Sequence, residues 1–166
     1  MGIGNHHSAK CGKDEWLTPP DLLSRLGKFD LDPCAPILRP WPTAENHYTI
    51  NDNGLLLPWS GRIWCNPPYG DQAYYWLMKL AGHGNGMALI FARTETVWFK
   101  RAVWERADAV MFIEGRLFFH HVSGERAKSN SGAPSALIAY GTDNVRSLRE
   151  SGVKGYIVEL DKETKP

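Results

Sequence analysis

Asn66-Pro67-Pro68-Tyr69 combines two hydrogen-bond acceptors and a flat ring on a stiff piece of backbone. Each proline fixes φ near about −65° and has no N–H to donate. Each also holds the residue before it out of the helical region. Asn66 and Pro67 are therefore extended, and the turn offers the Asn66 side-chain oxygen, the Pro67 carbonyl and the Tyr69 ring. That set suits a planar exocyclic amine, whose nitrogen is a poor nucleophile because its lone pair is delocalised. Accepting hydrogen bonds from both N–H groups favours a pyramidal nitrogen with its lone pair aimed at an electrophile. The chemistry is positioning plus stabilisation of developing charge, and it needs neither a metal nor a strong base.

The apolar run Ile63–Cys65 ahead of this turn predicts a buried strand that stops where the prolines remove donors. Upstream, Thr18-Pro19-Pro20-Asp21 opens an amphipathic stretch with Leu22, Leu23 and Leu26, closed by Gly27. Thr18 is the expected N-cap, with Asp21 at capping-box distance. Phe29 to Ala35 reads as a short strand ended by Asp32-Pro33, and in an open α/β sheet a carboxylate there points into the ligand crevice. Pro36, Pro40 and Pro42 exclude a long helix over 36–46, where a doubly wound fold usually has its first crossover helix. His47 to Ile50 predicts a second short strand running into the turn cluster Asn51-Asp52-Asn53-Gly54. Asp52 stands where a ribose-binding acid would, although no G-x-G-x-x-G precedes it.

Downstream, the spacing predicts a helix over Gln72 to Ala81 with Ala73, Trp76, Leu77 and Leu80 on one face. Met87 to Phe91 is a buried strand running into polar Ala92-Arg93-Thr94-Glu95-Thr96. A helix over Trp98 to Trp104, strands over Ala109 to Ile113 and Ala136 to Tyr140, and an apolar edge over Leu117 to Phe119 follow. Asn144 to Leu160 reads as a short basic helix and a last strand, Gly155–Glu159. His120 to Ser135 carries His120, His121, Arg126 and Lys128 among Ser, Asn and Gly and reads as a mobile surface loop. Strands alternating with helices argue an α/β fold.

The 166 residues fit one domain with a real core, and 43% apolar with 22% charged residues is ordinary for a soluble globular chain. A net charge of +1 predicts no partner, so nucleic-acid binding must come from a local patch. No apolar run approaches the ~20 residues of a membrane span. Residues 1–13 are polar, lack the apolar core of a signal peptide, and read as a flexible arm. Cys11, Cys34 and Cys65 lack framework spacing and read as reduced thiols of a cytoplasmic protein. His6, His7 and Cys11 have no second ligand pair at zinc-like spacing, so no metal is expected. Among the tryptophans, Trp16, Trp41 and Trp98 sit in polar or Pro-rich contexts that suit a cleft.

Five segments occur in order: Trp16-Leu17-Thr18-Pro19-Pro20, Asp30-Leu31-Asp32-Pro33-Cys34-Ala35, Asp52-Asn53-Gly54-Leu55, Trp59-Ser60-Gly61-Arg62-Ile63-Trp64-Cys65-Asn66-Pro67-Pro68-Tyr69-Gly70 and Ala92-Arg93-Thr94-Glu95-Thr96-Val97-Trp98-Phe99. Together they resemble the phage and prophage Dam-type DNA N6-adenine methyltransferases over roughly residues 14–141. The resemblance implies a compact, single-domain, S-adenosylmethionine-dependent transferase on a Rossmann-like sheet, spanning 14–166, in the cytoplasm of a bacterial host cell. Trp16, Thr18 and Pro19 would lie along the methionine end of the cofactor. Asp32, Pro33, Cys34 and Ala35 resemble the first cofactor motif, and Asp52 would serve the ribose. Asn66, Pro67, Pro68 and Tyr69 resemble the catalytic motif. The chain departs from many methyltransferases in having Pro36 and no glycine after the first motif until Gly54.

The amine chemistry alone also serves an RNA base or a protein glutamine amide, and an inactive, DNA-binding relative is a third reading. If the substrate is double-stranded DNA, the chain has no room for a large recognition domain. Target contacts are then expected from residues 118–135, with His120, Arg126 and Lys128, and from Arg93 and Thr94.

Overall fold

The central strands are apolar on both sides, so the sheet they form must be covered twice. A computed structural model of the chain describes residues 15–161. In chain order the elements are β1 (Trp16–Leu17), α1 (Pro20–Leu26), β2 (Leu31–Asp32), β3 (Asn46–His47), β4 (Ile63–Cys65), α2 (Gln72–His83), β5 (Gly86–Phe91) and α3 (Val97–Phe99). A π-helical turn (Lys100–Trp104) continues α3, and β6 (Ala109–Ile113), β7 (His120–His121), β8 (Ser135–Tyr140), α4 (Thr142–Glu150) and β9 (Gly155–Glu159) complete the chain. Seven strands make one mixed sheet in the order β3-β2-β4-β5-β8-β6-β9, while β1 and β7 form a separate ribbon. β3, β2, β4 and β5 are parallel. β8 is antiparallel to both of its neighbours, and β9 is antiparallel to β6. After β2 the chain steps outward to β3 and returns to lay β4 on the other side of β2. The order reverses between β2 and β4, and that reversal opens a crevice at the carboxyl ends of these strands.

Alternation along the strands divides the core in two. Ile63, Cys65, Ala88, Ile90, Val110, Ala136 and Ile138 face Trp76, Leu77 and Leu80 of α2 and Phe99, Ala102 and Val103 of the α3 segment. Trp64, Met87, Leu89, Met111, Leu137 and Ala139 face Leu22, Leu23 and Leu26 of α1, Val145 and Leu148 of α4, and Phe119. Burying each large aliphatic side chain contributes about 1.5–3 kcal/mol, so the central strand carrying the Asn66–Tyr69 turn is fixed from both faces. Gly86 matters to this closeness: a Cβ there would lie 2.5 Å from the Ile63 carbonyl on the neighbouring strand. At the amino end of β4, Arg62 bonds the Leu26 and Lys28 carbonyls, Asn144 and Ser147, tying α1 to α4.

The long periodic elements lie where the sequence predicts them; the departures are local. Thr18 is not an N-cap: α1 starts at Pro20 behind Pro19, with no side-chain cap. Thr18 is drawn inward instead and is buried. The strand expected over His47 to Ile50 is Asn46–His47, because Tyr48 and Thr49 already turn toward the Asp52 loop, which Thr49 N closes on the Asp52 carboxylate. The apolar edge over Leu117 to Phe119 lies outside the strands, with Phe119 buried in the core. The pairing residues are His120 and His121, opposite Leu17 and Trp16. The segment read as a mobile loop is a hairpin over its first half, closed by His121 N to Glu125 O and Ala127 N to Phe119 O. The residues expected to form the arm, 1–13, with His6, His7 and Cys11, lie outside the described residues.

Candidate active site

β4 delivers Asn66-Pro67-Pro68-Tyr69 to the crevice. A cavity of about 550 Å³ opens there, and Asn66, Pro67, Pro68 and Tyr69 form one wall. Trp16, Leu17 and Thr18 form a second wall, and Asp32, Pro33, Cys34 and Ala35 a third. Three segments far apart in sequence thus converge on one space. The Asn66 side chain is held by the second wall: its Nδ2 donates to the Thr18 hydroxyl at 3.3 Å. Engaging the amide nitrogen leaves Oδ1 as the acceptor face of the group. The first and third walls are joined by sulfur. Cys34 Sγ and Cys65 Sγ are 3.7 Å apart, and the Asn66 backbone N–H bonds the Cys34 sulfur. The Cys65 contact and then burial push the Cys34 thiol well above its ordinary pKa, so it stays protonated and is no nucleophile.

Asp32 is the buried charge of the site, only 2% exposed. One oxygen accepts from Cys34 N at 3.1 Å, and the other accepts from the Thr43 hydroxyl. Burial raises its carboxyl from 3.8 to about 6, against the opposing pull of Thr43, the Cys34 N–H and the Arg39 charge. Thr43 is fixed in turn by His47, whose Nε2 accepts from Thr43 N and Ala44 N, each at 3.3 Å. Burial, then Arg39, lowers the His47 pKa and favours the neutral ring that this acceptor role requires. Thr43 and His47 had no motif to mark them. The missing glycine after the first motif also has a structural answer. Gly54, from the next loop, lies so close to Pro33 that a Cβ would sit 2.0 Å from the Pro33 carbonyl.

The model of the family described as DNA N-6-adenine-methyltransferase (Dam) matches residues 5–158. The chain belongs to this family. No curated protein and no solved structure matches it. Membership indicates transfer of a methyl group to N6 of adenine in DNA, and a methyltransferase of this kind implies S-adenosylmethionine as donor.

Of the catalytic and cofactor-binding residues expected from the sequence of this Dam-family chain, Pro19 and Asp52 do not line the cavity. Pro19 starts α1. Asp52 is exposed, and its carboxylate accepts from Thr49 N at 2.7 Å and Thr49 Oγ1 at 2.9 Å, which lower its pKa. Its neighbours Thr49, Ile50, Asn53 and Gly54 do reach the cavity. Of the three candidate cleft tryptophans, Trp16 lines the cavity, and Trp98 borders a separate hollow with Tyr74, Tyr75 and Arg101. Trp41 instead packs edge-on to His120 at 5.2 Å. Arg93 and Thr94 are exposed just past the carboxyl end of β5. Arg126 lies over the Phe118 ring at 4.0 Å, and Lys128 is exposed beyond it. The hairpin reaches the site through its strand: β7 pairs with β1, whose Trp16 and Leu17 line the cavity. Among the described residues no cluster could hold a metal ion, and no helix is long and apolar enough to cross a membrane.

Proposed function

We propose that the chain is an S-adenosylmethionine-dependent DNA adenine N6-methyltransferase on a Rossmann-like sheet, with cofactor and target base sharing the cavity at the β2–β4 reversal. The observation that carries the reading is the meeting of Asn66, Thr18 and Asp32 around that one cavity. The parallel half of the sheet, with its order reversal, supports the Rossmann-like assignment.

The residues fit the cofactor. The volume lies in the range of small-molecule sites, about 300–1,000 Å³. Asp32 is a buried carboxylate whose charge is penalised by burial, and a cationic amine would offset that penalty. Trp64 lines the floor, and its indole Nε1 is buried with no hydrogen-bond partner. Bound here, S-adenosylmethionine would supply a methyl group on a positively charged sulfur. Asp32, with Trp16, Thr18, Pro33, Cys34 and Ala35 around it, would hold the methionine end. Asp52 would serve the ribose after giving up Thr49.

The target adenine is turned out of the duplex, at a cost of a few kcal/mol. Tyr69 stacks on it. Asn66 Oδ1 and the Pro67 carbonyl accept from the two N6 hydrogens, and the Thr18 hydroxyl braces the Asn66 side chain through Nδ2. The proton displaced from N6 leaves to solvent. Arg93, Thr94 and the 118–135 hairpin, with His120, Arg126 and Lys128, are the proposed DNA contacts.

Incubation with labelled cofactor and separate DNA, RNA and protein substrates tests the reading. Label in DNA alone is expected; label in RNA or protein alone would transfer the chemistry to another amine, and no label anywhere would leave a binding protein.

A further inference from the structure

We propose that Phe91 is a positioning residue for the target base, backing Tyr69 so that the base meets a stacking surface already set. The inference rests on the DNA-methyltransferase reading above and adds a residue to it. The Tyr69 and Phe91 rings are parallel within 4°, with centroids 4.4 Å apart.

The two rings stand on different backbone. Tyr69 is 40% exposed on a turn, and Gly70 follows it at φ +86°. Phe91 ends β5 and pairs with Ser135 of β8. Arg93 N bonds the Phe91 carbonyl at 2.8 Å, Ala92 N bonds the Pro134 carbonyl at 2.9 Å, and the Phe91 side chain packs on the α1-side core. The sheet holds Phe91, and Phe91 holds Tyr69.

The geometry also decides which face of Tyr69 receives the base. A stacked base needs about 3.4 Å on each side, so none enters between rings 4.4 Å apart. Tyr69 borders the cavity and Phe91 does not, so Phe91 stands behind the tyrosine and the base would meet Tyr69 from the cavity side. A ring ordered before binding loses less freedom when the base arrives, and a small misplacement of the reacting amine is costly in rate.

The test uses the full chain and unmethylated plasmid DNA with labelled S-adenosylmethionine. Single-turnover methylation is compared for the parent, Phe91→Leu, Phe91→Met and Phe91→Tyr, with cofactor affinity measured calorimetrically for each. The two ring-less variants should be about two- to tenfold slower, the range set by one stacked aromatic pair. Phe91→Tyr should restore the rate, and cofactor affinity should stay within about twofold, which also certifies the fold. In a Tyr69→Ala background, Phe91→Leu should cost nothing further. Ring-less variants at the parent rate, Phe91→Tyr as slow as Phe91→Leu, or an undiminished loss without Tyr69 would each overturn the proposal. A parent that puts no label in DNA adenine would bring down the underlying reading and this proposal together. An active parent with unaffected Phe91 variants removes this proposal alone.

Discussion

Lowering the pH should weaken cofactor binding through Asp32 before it unfolds the protein. In the cofactor-free chain, burial holds the Asp32 carboxyl at about 6. An ammonium group placed against it binds the ionised form, so binding is coupled to proton release. With a pKa of about 6, the carboxylate is nearly all ionised at pH 7.5 and roughly one-tenth ionised at pH 5. Affinity should therefore fall about tenfold across that window, or about 1.4 kcal/mol. Replacing Asp32 by Asn removes the titrating group and a charge-assisted bond of about 1.5–3 kcal/mol. The variant should bind roughly tenfold or more weakly at pH 7.5 and show no tenfold loss on acidification. His47 remains in the variant, so any residual slope reports the loss of its hold on Thr43.

The same pKa has the opposite consequence for stability. The folded value is raised above the unfolded 3.8, so the native state holds the proton more tightly between these values. Stability contributed by Asp32 thus declines from about pH 4 to pH 6 and stays at its lower level above. The shift of about two units corresponds to roughly 3 kcal/mol, so Asp32→Asn should melt higher than the parent at pH 7.5 while binding cofactor worse. Calorimetric titration at three pH values, with melting curves alongside, reads both effects. A parent affinity that is flat between pH 7.5 and 5, or an Asn variant with the parent's slope, would refute the reasoning.

Asn66→Ala should abolish transfer while cofactor affinity measured by calorimetry stays near the parent's; transfer at the parent rate would reject its role. Arg126→Ala with Lys128→Ala should weaken DNA binding and flatten its salt dependence by up to about two units of slope, with cofactor affinity unchanged. An unaltered slope in filter binding would move the DNA contact to the segment after Thr94 or to Lys10 and Lys13. Arg62→Met strips four partners from a half-buried guanidinium and should lower unfolding free energy by about 2–4 kcal/mol, shifting the urea midpoint without changing the slope. Arg62→Lys should recover little of this, because one ammonium cannot span the fork of acceptors. A midpoint within error of the parent would contradict that role.

What the sequence reveals here follows the strength of its local signals. Ile63–Cys65 and Ala136 to Tyr140 are short apolar runs that end in strong breakers or turns, and α2 repeats its apolar residues at helical spacing. The Asn66–Tyr69 turn is legible because its prolines dictate its shape wherever it is placed. Thr18 misleads because Ser/Thr-x-x-acid is a cap signal judged on four residues, whereas its partner Asn66 lies 48 residues away. β1 and β7 are two residues each, too short for a period, and only their pairing makes them strands. Thr43 and His47 support Asp32 through bonds that form after β2 and β3 are side by side, so neither residue stands out alone. Phe91 reads as one more apolar strand residue until Tyr69 is seen lying on it.

The most direct test of the account is nucleoside mass spectrometry of unmethylated double-stranded DNA after incubation with the protein and S-adenosylmethionine, with Asn66→Ala in parallel. The account predicts N6-methyladenine in the parent reaction and none with the variant. Methyl groups found only on cytosine, or N6-methyladenine at equal levels with Asn66→Ala, would contradict it.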